Sequence, residues 1–331
     1  MRLVADIGGT HARFALLEAH GVPAHILNLK TADFSDLGGA ITAYLTTVRP
    51  RVVQETVWNE VEAVISIAAP LAGDRVRMTN AAWDFSVVQT KTDLGLQRLH
   101  LLNDFEALAL AVPTLTFTEL QAIGHTLPLD GSHAKAIIGP GTGLGMAGVV
   151  PITLGVGTKH QPVWQAVPCE GGHASFAPRN EQDMTLLKTA WDLGLRHVCW
   201  EDFVSGTGLP LLYQCICHNH GYDFEPKTPS DITNGALTLR DEACLATLLM
   251  FCELLGAAAG DLALMMGARG GVYIKGGVLD RVSELDPHFL SASRFRQQFE
   301  AKGAYSRYLQ SIPTWFINTQ QLALRGCAAV P

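Results

Sequence analysis

The stretch Leu3-Val4-Ala5-Asp6-Ile7-Gly8-Gly9-Thr10-His11-Ala12-Arg13-Phe14-Ala15-Leu16-Leu17 decides how this chain is read. Leu3 to Ala5 is a short apolar strand, and Phe14 to Leu17 is a second. The turn between them holds two adjacent glycines and a threonine, with a carboxylate at its entrance. Gly8 and Gly9 lack Cβ, so the backbone can approach a phosphate chain and point N–H groups at it. Thr10 adds a hydroxyl donor. Asp6 cannot face phosphate oxygens, because like charges repel, and its natural partner is Mg²⁺ or the waters of that ion. A plain hairpin with a Gly-Gly turn satisfies the same residues, so this segment alone leaves both readings open.

Outward from this hairpin the N-terminal third alternates strands and helices. Ala24 to Leu29 reads as a third strand. Leu37, Ile41, Tyr44, Leu45 and Val48 recur at helical spacing, and Pro50 closes that helix. Val61 to Ile67 and Leu99 to Leu102 are further strands, and Glu106 to Val112 is a short helix. The resulting β-β-β-α-β-α-β-α pattern is an α/β layer architecture. A second round repeats the opening. Lys135 to Ile138 is a strand, Gly139-Pro140-Gly141-Thr142-Gly143-Leu144-Gly145 a glycine-rich turn, and Met146 to Val150 the returning strand. Such a repeat implies two related halves facing one cleft. Helices follow near 182–195, 206–217 and 241–267, then strands at Val272–Ile274 and Thr314–Ile317 and a last helix from Gln320.

Two glycine/threonine turns, each between strands, suit a nucleotide gripped from both sides. Two rival readings fail on local grounds. Gly143 to Gly148 matches G-x-G-x-x-G, but a Rossmann turn needs a helix opening inside the motif, and Met146 to Val150 reads as strand. A Walker-A loop needs Gly-Lys, a dipeptide that occurs nowhere in the chain.

Three further places carry candidate chemistry. Asn103-Asp104-Phe105-Glu106 lies where a strand ends and a helix begins, the usual ligand position in α/β sheets. There an Asp can orient an attacking hydroxyl and accept its proton, or Asn103 or Asp104 can simply cap the helix. In Cys169-Glu170-Gly171-Gly172-His173 the two glycines force a turn that aims an acceptor and a donor/acceptor at one point, suiting a polyhydroxylated ligand. Its bland alternative is a solvated loop. Glu201 adds a carboxylate or only a helix N-terminal charge.

Composition bounds the rest. The 331 residues are 48% hydrophobic and 17% charged, enough for two domains with large cores. A net charge of −7 without polybasic runs argues against nucleic-acid and membrane partners. Seven cysteines without framework spacing fit reduced thiols in the cytoplasm. The most apolar run, Ala243 to Ala268, contains Glu253 and Asp261 and reads as a buried helix. Cys215-Ile216-Cys217-His218-Asn219-His220 lacks a distant second ligand pair, so it reads as a helix end and not a zinc site.

The segments DIGGTHAR (6–13), MTNAAWDF (78–85), LLNDFEALA (101–109), IGPGTGLG (138–145), CEGGH (169–173), VSGTGLPLLY (204–213) and YIKGGV (273–278) together resemble the bacterial glucokinase family of the hexokinase/actin-like sugar kinase superfamily. The resemblance implies two actin-like (ribonuclease H-like) α/β domains flanking an interdomain cleft. Residues 1–108 form the small domain, completed by the C-terminal helix 318–331, and 109–317 the large one. It implies an ATP-dependent kinase acting on the glucose 6-hydroxyl. Asp6, Ile7, Gly8, Gly9, Thr10 and Arg13 form the first phosphate loop, with Asp6 near Mg²⁺ through water. Gly141, Thr142 and Gly143 belong to the second loop, and Gly276 and Gly277 lie beneath adenine. Asp104 becomes the catalytic base, and Asn80, Asn103, Glu170, His173 and Glu201 bind the sugar. The zinc motif of the related repressor/open-reading-frame/kinase sugar kinases is absent, so no structural zinc is expected. A cytoplasmic homodimer is the expected form. The alternatives are a kinase of mannose or fructose, or a non-enzymatic sugar-responsive or actin-like nucleotide-binding protein. A regulator of that kind carries an N-terminal DNA-binding helix pair, for which a first strand at Leu3 leaves no expected room.

Overall fold

In the computed structural model, which describes residues 1–18, 21–49, 61–78, 81–152 and 162–330, contacts group the chain into two units, Met1–Leu115 with Thr319–Pro331, and Thr116–Asn318. Asn80 and Pro50 lie outside the described residues.

The first unit is built on β1 (Arg2–Ile7), whose alanine, valine and leucine side chains are fully buried. β2 (His11–Leu17) and β3 (Pro23–Lys30) continue from it as an antiparallel meander, and α1 (Leu37–Val48) follows. β4 (Glu62–Ile67) lies parallel to β1. A small hairpin, β5 (Arg75–Arg77) and β6 (Asp84–Ser86), leads through α2 (Val87–Asp93) to β7 (Arg98–Asn103), which lies parallel to β4 and runs into α3 (Asp104–Ala111). The sheet order is β3-β2-β1-β4-β7. Central parallel strands covered on both faces require nearly continuous apolar runs, which β1 and β4 supply.

The second unit repeats this order. After the short β8 (Leu120–Ala122), the meander is β9 (Lys135–Pro140), β10 (Leu144–Ile152) and β11 (Val163–Cys169). Helices α4 (Glu181–Asp192), α5 (Leu209–His220), α6 (Pro229–Asn234) and α7 (Glu242–Met266) precede β12 (Val272–Ile274). Then come α8 (Gly277–Leu285), α9 (Phe289–Ala292), α10 (Phe295–Glu300), α11 (Ser306–Gln310) and β13 (Thr314–Ile317). β12 is parallel to both β9 and β13, so the sheet reads β11-β10-β9-β12-β13-β8. Each unit is thus a three-strand meander extended by two parallel strands, with β8 added at one edge of the second. Among the described residues, α7 is the one helix long and apolar enough to cross a membrane, and 78% of its most apolar window is buried within the fold, as in a core helix.

The chain closes with α12 (Leu322–Ala328), which packs on α3 and β1 of the first unit. A Cβ at Gly326 would lie 1.7 Å from the Ala107 carbonyl oxygen, so only glycine lets the two helices approach this closely. Arg2 Nη1 donates to the Val330 carbonyl at 2.5 Å. The contact boundary at 115/116 leaves α3 whole, whereas a division at 108/109 would cut the helix against which α12 rests.

Two local readings differ from the sequence expectation, and one agrees with it. α3 begins at Asp104 and not at Glu106, because Asn103 caps it two residues earlier. The β5–β6 hairpin and the strand β11 carry no strong period of their own and went unread. β10 is strand throughout, so no helix opens in the Gly143–Gly148 segment.

Candidate active site

In the first unit, the parallel strands β1, β4 and β7 end at the same edge. The registers Asp6↔Ser66 and Ile67↔Asn103 bring Asp6, Ser66, Asn103 and Asp104 to the carboxyl end of that sheet. Open α/β sheets bind ligands at this edge.

The first glycine turn is closed from within. The Gly8 N–H donates to the His11 carbonyl at 2.9 Å. The buried Thr31 pins both arms, its Oγ1 donating to the Gly8 carbonyl at 3.0 Å and its N–H to the Thr10 carbonyl at 3.0 Å. Trp83 Nε1 in turn donates to the Thr31 and Phe34 carbonyls. The N–H groups of Gly9 and Thr10 have no acceptor among the described residues, and Thr10 is exposed. Two adjacent donors of this kind form an anion-binding nest. The Ile7 side chain is buried in the core, so only its backbone can serve a ligand.

Burial raises the Asp6 carboxyl above the usual carboxylate range, with the charge of Arg13, its cross-strand neighbour, and a hydrogen bond from Ser66 Oγ (3.3 Å) opposing the shift. A half-buried carboxylate that its neighbours only partly compensate fits a hydrated divalent cation.

Asn103 performs the capping role and retains donors. Its Oδ1 accepts from the Phe105 N–H at 2.9 Å, while Glu106 accepts from the Asn103 N–H at 3.4 Å, a reciprocal cap. The cap uses the oxygen of the amide, leaving the Nδ2 group for a hydroxyl acceptor. Asp104 follows as the first helical residue, half-buried at the sheet edge.

The second unit repeats the turn chemistry. The Gly141 N–H closes its turn on the Gly143 carbonyl at 2.9 Å, while the N–H groups of Thr142 and Gly143 have no acceptor among the described residues. Gly141 therefore shapes the turn with its N–H already committed. Gly206 and Thr207, to which the sequence assigned no role, hold this turn in place. The Gly206 N–H donates to the Gly141 carbonyl at 2.8 Å, and both the N–H and Oγ1 of Thr207 donate to the Thr142 carbonyl, at 3.2 and 3.0 Å. The glycines around Thr207 were the signal available in the sequence. Beside the turn lies a cavity of about 800 Å³ lined by Thr142, Thr207, Pro210, Thr233, Gly277 and Arg281, among others. That volume lies within the usual range for small-molecule sites. Gly277 is on its wall. Gly276 lies behind it, where a Cβ would sit 2.4 Å from the Pro140 carbonyl oxygen.

Glu170 and His173 are exposed on a single helical turn after β11. Gly172 seats that turn on β10, since a Cβ there would lie 2.1 Å from the Leu144 carbonyl oxygen. The Glu201 N–H donates to the Gly172 carbonyl at 2.9 Å, which brings Glu201 beside this turn. The Glu201 carboxylate accepts from the Leu144 N–H at 2.7 Å. Within the second unit, Glu170, His173, Glu201 and the second glycine turn are therefore one cluster. Asp6, Asn103 and Asp104 are the corresponding cluster of the first unit.

The Cys215–His220 segment is the end of α5. Cys215 and Cys217 are buried, burial pushing the Cys215 thiol up to about 12, and His218 and His220 are exposed. Among the described residues no group of three or more His, Cys, Asp or Glu side chains is placed to hold a metal.

A family profile described as glucokinase matches residues 3–331. The glucokinase of Chromobacterium violaceum is 44% identical over 328 residues, covering 99% of this chain and 88% of that protein. The crystal structure of a glucokinase from an Antarctic psychrotroph aligns with a TM-score of 0.84 at 35% identity, covering 99% of this chain and 97% of the other. A glucokinase of the repressor/open-reading-frame/kinase family from Streptomyces griseus, determined with glucose and AMPPNP, aligns with a TM-score of 0.60 at 18% identity, covering 99% and 97%, a likeness of fold. The repeated sheet order is accordingly that of the two-domain actin-like fold, and, with the match spanning almost every residue, the chain belongs to the glucokinase family.

Proposed function

We propose that this protein transfers the γ-phosphate of ATP to the 6-hydroxyl of glucose, forming glucose 6-phosphate at the entry to glycolysis. The observation that carries this reading is the pair of glycine turns, closed by the N–H groups of Gly8 and Gly141 and each followed by two N–H groups without an acceptor among the described residues. Such pairs suit a polyphosphate, and both turns serve the phosphates of one ATP. Its adenosine takes the cavity beside Thr207 and Gly277.

Glucose is held by Asn103 through its amide N–H groups, by the acceptor Glu170, by His173 and by Glu201, with Asn80 as a further contact. Asp104 accepts the 6-hydroxyl proton as that oxygen attacks the γ-phosphorus in line. Backbone N–H groups meet the charge on the phosphoryl oxygens. Asp6 would hold the water shell of Mg²⁺, which would neutralise charge on the phosphate chain. The seven unbridged cysteines support a reducing, cytoplasmic setting, and the resemblance supports a homodimer.

A coupled assay of the purified protein with ATP, scanning glucose, mannose and fructose, tests the reading. Glucose is expected to give the highest kcat/KM. Preference for another hexose would reassign the substrate, and no turnover with any of them would overturn the reading. Glu170→Gln removes a charged acceptor, a loss of about 1.5–3 kcal/mol. The KM for glucose should therefore rise roughly 10- to 100-fold while the KM for ATP holds. An unchanged glucose KM would make Glu170 a loop charge only.

A further inference from the structure

We infer that Glu201 is a positioning residue for the second phosphate turn, latching that turn to the sugar-contacting turn, so that each ligand's site is shaped through the carboxylate it shares with the other. This goes beyond a sugar contact for Glu201, and it rests on the proposed assignment of the turn to phosphate and of residues 170–173 to sugar.

The geometry is specific. Glu201 Oε2 accepts the Leu144 N–H at 2.7 Å, the first N–H after Gly143. Leu144 also carries the carbonyl on which Gly172 rests. The Glu201 backbone N–H donates to the Gly172 carbonyl at 2.9 Å, so one residue bonds both turns, one through its side chain and the other through its main chain. The segment leading away from it continues the attachment. Ser205 Oγ donates to the Glu201 carbonyl at 2.8 Å and accepts from the Gly208 N–H at 2.8 Å, while Gly206 and Thr207 bond the carbonyls of Gly141 and Thr142. Gly143 is part of the same device. A Cβ there would lie 2.4 Å from Glu201 Oε2, and the obstructed atom is the end of a flexible side chain, not backbone. An alanine at 143 would therefore displace the carboxylate while the surrounding backbone stays in place.

The consequence is cross-talk that contact alone does not produce. A carboxylate-to-N–H bond is charge-assisted, so its loss is large on the scale of a binding constant. Binary complexes isolate the effect, since each contains one ligand. By titration calorimetry with AMPPNP and Mg²⁺ in the absence of sugar, Glu201→Ala is expected to weaken nucleotide binding roughly 10-fold or more. Glu201→Gln keeps an acceptor oxygen at the same reach but loses the charge, and is expected to bind nucleotide about 3-fold or more tighter than Glu201→Ala yet measurably weaker than the parent. With glucose alone, Gly143→Ala is expected to weaken sugar binding about 5-fold or more, although residue 143 belongs to the phosphate turn. Circular dichroism identifies any variant that fails to fold, and the glutamine variant then carries the comparison. Parental nucleotide affinity in folded Glu201→Ala, or parental glucose affinity in folded Gly143→Ala, would overturn the latch. Failure of the parent protein itself to bind glucose or AMPPNP would instead overturn the proposed function.

Discussion

Asp104→Ala is expected to leave a folded, glucose-binding protein whose kcat has fallen about 10²–10⁴-fold, the range for loss of a general base. The fold should survive because the start of α3 rests on Asn103 and Glu106, which cap one another's end of the first turn. Glucose affinity should change little, because the hydroxyl contacts belong to Asn103, Glu170, His173 and Glu201. Turnover by the coupled assay and glucose binding by calorimetry separate the two effects. A folded variant within about tenfold of the parental kcat would remove Asp104 from the role of base.

The second large effect concerns stability. Arg296→Met should lower the folding free energy by about 3–5 kcal/mol, the usual cost of breaking a buried ion pair from one side. Arg296 is buried on α10, where burial pulls its guanidinium below the usual arginine value and a hydrogen bond to Glu300 opposes the pull. Its Nε donates to Glu300 at 2.5 Å, Nη1 to the Ile312 carbonyl at 2.7 Å and Thr314 Oγ1 at 3.0 Å, and Nη2 to the Leu309 and Gln310 carbonyls at 3.2 and 3.1 Å. It thereby ties α10 to the end of α11 and the start of β13, and it lies over the Phe299 ring at 4.9 Å. Methionine keeps the apolar stem but leaves the Glu300 carboxylate and the Ile312 and Gln310 carbonyls without this donor, while the Leu309 carbonyl keeps the Ile312 N–H. The urea midpoint of the full chain should fall clearly, with Arg296→Lys intermediate because one ammonium cannot reach five acceptors. A parental midpoint for Arg296→Met would mean that those acceptors find other partners.

Local pattern carried much of the fold. The opening hairpin was readable because glycines interrupt an apolar run, and the strands extend closer to the turn than the apolar residues alone indicate, since Asp6 pairs with Arg13 and Ile7 with Ala12. β12 and β13 stand where short β-branched and aromatic runs placed them. β11 was missed because its exposed and half-buried residues, Val163 to Cys169, present no clear alternation. In the candidate site, the glycine turns and the Asn103–Asp104 and Glu170–His173 pairs were legible from residue type. Thr31 and Ser66 were not, since a lone hydroxyl has no pattern until its acceptor is known. For Asn103 the sequence left cap and ligand as rivals, and the structure makes the cap compatible with ligand binding because it uses only the amide oxygen.

The amino-acid order by itself therefore determined the α/β class, the repeated strand–glycine turn–strand motif and the chemical character of the site, because burial period and the absence of Cβ act within a few residues. Only the tertiary structure decided that Thr31 pins the first turn from β3's far end and that Glu201 reaches Leu144 across 57 positions of chain. Those are pairings of single donors with single acceptors, and nothing short-range in a polypeptide encodes which carbonyl a distant N–H will meet.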